Sequence, residues 1–142
     1  MDVERTFTVD QPVEKVIEYL ADFGHAEEWD PGTKSCTPIT TDQIAVGKQW
    51  RNVSEIKGRQ TELTYTLERR EPDRLTFVGK NKGATSTDDL TFWHDGGRTT
   101  VTYHANIEFH GIAKLAALFL QSEFERLGDE TRTNLVSTLN AL

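Results

Sequence analysis

The order in which hydrophobic periodicities follow one another is the strongest constraint this chain places on its fold. Val3 to Val9 alternates with period two, setting Val3, Arg5, Phe7 and Val9 against Glu4, Thr6 and Thr8, and reads as a strand. Val13, Val16, Ile17 and Leu20 then fall at i, i+3, i+4 and i+7, the single apolar stripe of an amphipathic helix. Asp10 is the expected cap of that helix, with Pro12 near its first turn, where a missing N–H costs nothing. Gly24 interrupts it, and a second short helical turn around Ala26 to Trp29 stops at Asp30-Pro31-Gly32. From Thr33 to Phe109 alternation returns in segments 33–40, 48–56, 60–70, 74–80, 85–94 and 99–109. Lys57-Gly58, Glu71-Pro72-Asp73 and Asp95-Gly96-Gly97-Arg98 supply turns between them. Gly111 ends the last strand, and Ile112 to Leu142 reads as a long helix with a bend expected near Gln121-Ser122. A twisted antiparallel sheet with one long helix laid across it encloses a hollow rather than a solid core. The order therefore predicts an α+β container for an apolar molecule, and leaves open whether the container also does chemistry.

Length and charge bound the rest. The 142 residues form one domain, long enough to bury roughly two-thirds of the unfolded surface. A net charge of -7 disfavours nucleic acid and tight electrostatic contact with anionic lipid. The longest run of cations is the pair Arg69-Arg70. Cys36 is the single cysteine, so no internal disulfide forms; this fits a reducing, cytoplasmic setting, with the thiol expected as a small buried side chain. Asp2 and Glu4 stand where a signal peptide would be apolar, and the stretch Ile112 to Leu120 is too short for stable insertion across a bilayer.

The Gly96-Gly97 turn fixes a register. With those residues as the loop, Phe92 faces Val101, Leu90 faces Tyr103, and Asp88 faces Ala105, all on one inward side. Asp88 is then a carboxylate on an apolar face, expected at the mouth of the hollow, solvated or bonded to loop amides; the alternative is a place inside, where its pKa would be raised and it would exchange protons near neutrality. Asp89, Thr91, Trp93, Thr100, Thr102 and His104 face solvent. Leu63, Tyr65 and Leu67 point inward from 60–70. Leu75 and Phe77 do so from 74–80, and Trp50, Asn52, Ser54 and Ile56 from 48–56, although the register of these two segments is open by one residue. This face is more polar than an ordinary core. Each buried hydroxyl or amide left unpaired costs about 1–3 kcal/mol, which water or a polar ligand group relieves.

The ordered set Pro12-Val13-Glu14-Lys15-Val16, Glu28-Trp29-Asp30-Pro31, Asp88, Phe92, Gly96-Gly97, Thr99 to Tyr103 and Gly111 resembles the START-like, or SRPBCC, superfamily, nearest its polyketide cyclase/dehydratase-like branch. The resemblance covers essentially the whole chain. It implies a helix-grip fold: a seven-stranded curved antiparallel sheet wrapped around a long C-terminal helix, two short helices between strands 1 and 2, and a ligand tunnel between sheet and helix. Members bind lipids, sterols, polyketides and other apolar molecules. Some close or dehydrate polyketide rings, and others act as protein partners.

On this reading Trp50, Asn52, Tyr65, Phe77, Leu90, Phe92 and Tyr103 line the tunnel from the sheet. Leu120, Phe124, Leu127 and Thr131 cover it from the helix. If the protein is an enzyme, the proton-transferring groups are Asp88, Tyr65 and Tyr103. Enzymes of this fold tend to use inward arginines; the register sends Arg51 outward and leaves Arg59 and Arg69 undecided, which weighs toward a binder. No cofactor and no metal is expected: His104 and His110 lie about 20 Å apart along one strand, His94 falls inward near the mouth, and no HExxH or CxxC appears. Trp29 and Phe23 are placed to gate the tunnel or to pack the core. The expected partner is a small apolar molecule. A third reading, a protein-interaction module whose tunnel is filled by its own side chains, predicts no cavity of about 300 Å³ or more.

Overall fold

The computed structural model describes residues 1–41 and 43–142. Strand β1 (Asp2–Val9) is followed by helix α1 (Val13–Ala21), a 3₁₀ turn (Phe23–His25) and the short helix α2 (Ala26–Trp29). Strands β2 (Thr33–Pro38), β3 (Gln49–Ile56), β4 (Arg59–Glu71), β5 (Arg74–Lys80), β6 (Ala84–Asp95) and β7 (Arg98–Phe109) follow. A 3₁₀ segment (Gly111–Ala116) leads into helix α3 (Ala117–Asn140). The strands form one antiparallel sheet in the order β1-β7-β6-β5-β4-β3-β2. This is the antiparallel sheet with a closing helix that the periodicities predict, and the helix-grip arrangement that the resemblance implies.

The hairpin register is the predicted one: Phe92 pairs with Val101, Leu90 with Tyr103 and Asp88 with Ala105. Gly96 takes the positive φ, 64°, that the tight turn requires. Trp50 and Asn52 in β3, and Leu75 and Phe77 in β5, are buried, which sets both open registers with these residues inward. Arg51 points outward and pairs with Glu62.

Two local expectations differ. Asp10 does not cap α1; Pro12 holds the cap position, and its carbonyl accepts from the amides of Lys15 and Val16. The Asp10 carboxylate instead accepts from Arg98 Nε at 2.8 Å, because β7 brings that guanidinium alongside. Gln121 and Ser122 lie inside an unbroken α-helix. The change of winding falls earlier, between Ala116 and Ala117, where the tighter segment begun at Gly111 (φ 58°) relaxes into α3.

Helix α3 is held unevenly. Gly128, Thr131, Leu135 and Leu139 in its C-terminal half are buried. A Cβ on Gly128 would stand 2.5 Å from Val3 Cγ1, so the helix backbone rests on β1 at a separation only glycine permits. Arg5 fastens the same crossing, donating to Asp129 Oδ1 at 2.8 Å and Glu125 Oε2 at 2.9 Å. In the N-terminal half Leu120, Phe124 and Leu127 are only half-buried, and Leu118 and Phe119 are exposed.

Candidate functional site

The concave face is built in rows that run across the strands. Tyr65 pairs with Gly79 and Gly79 with Ser86; Phe77 pairs with Asp88; Leu75 pairs with Leu90. Gly79 is required here: a Cβ on it would lie 2.6 Å from the Tyr65 ring, which lies over the bare backbone. Aromatic rings fill the centre of this face. Phe23 stands 4.5 Å from Tyr65 and 4.6 Å from Phe77, ring centre to ring centre. Trp29 meets Phe23 edge-on at 6.0 Å and Tyr103 at 5.9 Å, within the range where such pairs attract. Phe23 and Trp29 are each 1% exposed, so of their two predicted roles they take the packed one.

A polar layer lies within this apolar wall. Asp88 is 4% exposed, buried and not at a solvated mouth as expected. Trp29, from α2, packs on the Tyr103 ring that bonds Asp88, a tertiary effect that strand parity does not reveal. The Tyr103 hydroxyl donates to Asp88 Oδ2 at 3.3 Å. Burial pushes the Asp88 carboxyl up to about 7; the nearby Asp30 carboxylate adds to this and the Tyr103 bond opposes it. Burial and the Asp88 charge raise both Tyr65 and Tyr103 well above the usual phenol range. A second chain of bonds runs alongside. Thr33 donates to Asp30 Oδ2 at 2.8 Å, Asn52 Nδ2 donates to Thr33 Oγ1 at 3.0 Å, and Ser54 donates to Asn52 Oδ1 at 2.6 Å. Burial holds the Asp30 carboxyl high, while its bonds to Thr33 and Gly32 act against this. The Trp29 indole N–H is buried with no partner among the described residues. An unpaired donor of this kind costs about 1–3 kcal/mol unless an oxygen reaches it.

Between α3 and the sheet, toward the chain-terminal end of β7, the wall turns apolar again. Met1, Ile56, Ile107, Phe109, Leu120, Phe124 and Leu127, with the single carboxylate Glu123, line a crevice of about 10 Å³. That is space for about one water molecule and far less than a ligand chamber of about 300 Å³, so the hollow expected between sheet and helix is closed here by the protein's own side chains, as the filled-interior reading expects. Ile107 pairs with Ser86, so the crevice opens directly onto the row that carries Tyr65 and one row above Asp88. Leu90 and Phe92 lie deeper, in the closed end of the core, and Thr131 sits in the anchored half of α3.

Other sequence candidates fall elsewhere. His94 is exposed at the opposite end of the molecule, where it lines an open surface groove of about 470 Å³ with Val13, Ile17 and Arg70. It is not near the mouth, because β6 carries it to the far turn. His104 bonds Asp2 and His110 bonds Thr85. Among the described residues no group of three or more His, Cys, Asp or Glu is placed to hold a metal ion. Cys36 is buried, and burial pushes its thiol up to about 12. No helix among the described residues is long and apolar enough to cross a membrane.

Sequence reasoning missed Asp30, Thr33 and Ser86 as members of the polar layer. Ser86 was within reach, two residues before Asp88 on the same strand face. Asp30 and Thr33 stand on a connection whose direction no periodicity reports.

A model of the family described as polyketide cyclase/dehydrase and lipid transport matches residues 1–139. Among curated proteins no sequence relative matches. Solved structures show the same fold at low identity. A protein from Thermus thermophilus superposes with a TM-score of 0.81 at 14% identity, covering 99% of this chain and 98% of that one. The Zhui aromatase/cyclase from a Streptomyces strain gives 0.80 at 16%, covering 98% and 93%. A STAR-related lipid transfer protein from Xanthomonas axonopodis gives 0.75 at 12%, covering 97% and 85%.

Proposed function

The chain belongs to the polyketide cyclase/dehydrase and lipid transport family, and from that premise we propose that it binds a small hydrophobic or amphipathic molecule between the sheet and the N-terminal half of α3. One observation carries the reading. A buried polar layer of Asp88, Tyr103, Tyr65 and Asn52 lies at the inner end of an apolar crevice, and the helix half that covers the crevice is only half-buried. Moving that half outward about the Gly128 anchor exposes Ile56, Ile107, Phe109 and the inner row to a guest. Apolar burial supplies affinity at roughly 25 cal/mol per Å², less the cost of association. The phenol groups of Tyr65 and Tyr103 and the indole N–H of Trp29 orient an oxygen of the ligand.

A second reading, a polyketide aromatase/cyclase or dehydratase, is favoured by Asp88 alone. A carboxyl that titrates near 7 beside a tyrosine hydroxyl gives and takes a proton at neutral pH. Native mass spectrometry of protein taken directly from cells tests the first reading, with turnover of a β-keto chain measured alongside. A co-purified apolar ligand, displaced by lipophilic dye without turnover, is the expected result. Turnover lost in Tyr103→Phe and Asp88→Asn moves the assignment to the enzyme. Neither ligand nor dye uptake leaves the interior filled by its own rings, the interaction-module reading.

A further inference from the structure

The antiparallel sheet brings the β3–β4 turn, the β5–β6 turn and the end of β7 to one end of the molecule. The turns carry exposed Lys57, Arg59, Lys80 and Lys82, and the 3₁₀ segment after β7 carries exposed Lys114. None of the five has an ion pair among the described residues. The His110 amide donates to the Gly83 carbonyl at 2.9 Å, which seats the β5–β6 turn, with Lys80 and Lys82, against the 3₁₀ segment that carries Lys114. Lys57 lies near enough to Glu123 to help Arg126, the larger influence, hold that carboxyl below its usual range. The carboxylates at this end are largely neutralised, Glu55 by Lys34, Glu62 by Arg51 and Glu123 by Arg126, while exposed Asp2 bonds only His104 and Asn106, and Glu108, on the convex side, has no ion pair among the described residues.

The opposite end is acidic. Exposed Asp10, Glu14, Glu18, Glu71, Asp73 and Asp95 gather there. Arg98, Arg74 and Arg69 at that end are each bound to a carboxylate, which leaves Lys15 and Arg70 as its cations outside ion pairs among the described residues. Strand β6, 12 residues long, separates the two ends by roughly 40 Å. That is several times the screening length of about 8 Å at physiological salt, so a charged surface touching one end does not sense the other.

The basic end also carries the largest exposed apolar group among the described residues. Ile112 is 88% exposed, Leu115 62%, Leu118 75% and Phe119 76%. Four large side chains held in water on consecutive helical turns, among unpaired cations, fit a partner that is apolar inside and anionic at its face.

We propose that this end docks on the surface of a bilayer containing anionic lipid. Ile112, Leu115, Leu118 and Phe119 enter the acyl boundary, and Lys57, Arg59, Lys82 and Lys114 meet the phosphate groups. A folded acidic protein offers the charge but no apolar depth for side chains this far exposed, and so fits less well. The inference goes beyond the ligand reading and holds whatever the interior contains. In a sequence with net charge -7 it is concealed, because the cations come from three separate turns.

Flotation with phosphatidylcholine vesicles, with and without phosphatidylglycerol, tests it. The protein is expected to float with the anionic vesicles and not the neutral ones, less so as salt rises. Replacing Lys57 or Lys82 by Gln should each lower partitioning about fivefold. Phe119→Glu should abolish flotation while its melting temperature matches the parent, since that side chain is solvent-exposed. Failure to float with anionic vesicles at low salt overturns the proposal, as does equal flotation with neutral ones or undiminished flotation of Phe119→Glu. Dimerisation, or capture of an acidic protein, through this face without vesicle binding also overturns it and gives the face to that partner.

Discussion

Asp88 shows how one side chain ties packing to chemistry. Its carboxyl titrates at about 7 in the folded protein, against 3.8 for an ordinary aspartate. Between those values the folded chain keeps a proton that the unfolded chain releases. Stability from this group is therefore complete below about 4, declines as pH rises toward 7, and stays low above. Asp2, Asp89, Glu62 and Glu123 are held low and act in the opposite sense, so the net curve does not isolate Asp88. Asp88→Asn does, because the amide oxygen still accepts from Tyr103 and carries no charge. The melting temperature of the variant minus that of the parent should climb between pH 4 and pH 8, by thermal denaturation across a buffer series. Parallel curves would mean the carboxyl is not held protonated. The sequence reveals that Asp88 faces inward, because hairpin parity is rigid. It does not reveal the burial, which depends on distant side chains such as Trp29, packed on the Tyr103 ring beside Asp88.

At the scale of elements, the contact of α3 with β1 decides which part of the helix is fixed. Gly128→Ala gains helix propensity of up to about 1 kcal/mol, and loses more by forcing a methyl into Val3. A net loss of about 1–2 kcal/mol in urea denaturation is expected. Adding Val3→Ala should recover part of it, with a coupling of at least about 0.5 kcal/mol in the double-mutant cycle. Additive effects would remove the claim that the glycine is there for close approach. The helical stripe Leu120, Phe124, Leu127, Thr131, Leu135 and Leu139 is legible in the sequence as one continuous face. Its division into a fixed and a loose half is not, since both halves carry the same apolar spacing and only the glycine and Arg5 tell them apart. Strand boundaries are legible almost to the residue, because glycine-rich or proline-containing turns separate runs of strict alternation. The start of α1 escapes such reading because Asp10 has a competing partner 88 residues away.

For the whole molecule, the separation of charge along the strands matters more than its sum. A protein with a pI near 5.1 should pass through a cation exchanger at neutral pH. This one is expected to be retained at low ionic strength, bound by its basic end, and Lys57→Glu with Lys82→Glu should release it. Elution of the parent in the void volume would show that the acidic end dominates after all. Composition cannot show this polarity. Net charge adds residues without regard to place, and only the antiparallel topology sends one set of turns to each end.

Phe23 carries a further consequence. Its ring reaches the middle of the concave face from a connecting segment and belongs to no strand. On the proposed reading, the depth open to a guest is limited by Phe23 with the rings it packs against, and Phe23 alone among them can change size without touching a rung of the β-ladder or an α-helix.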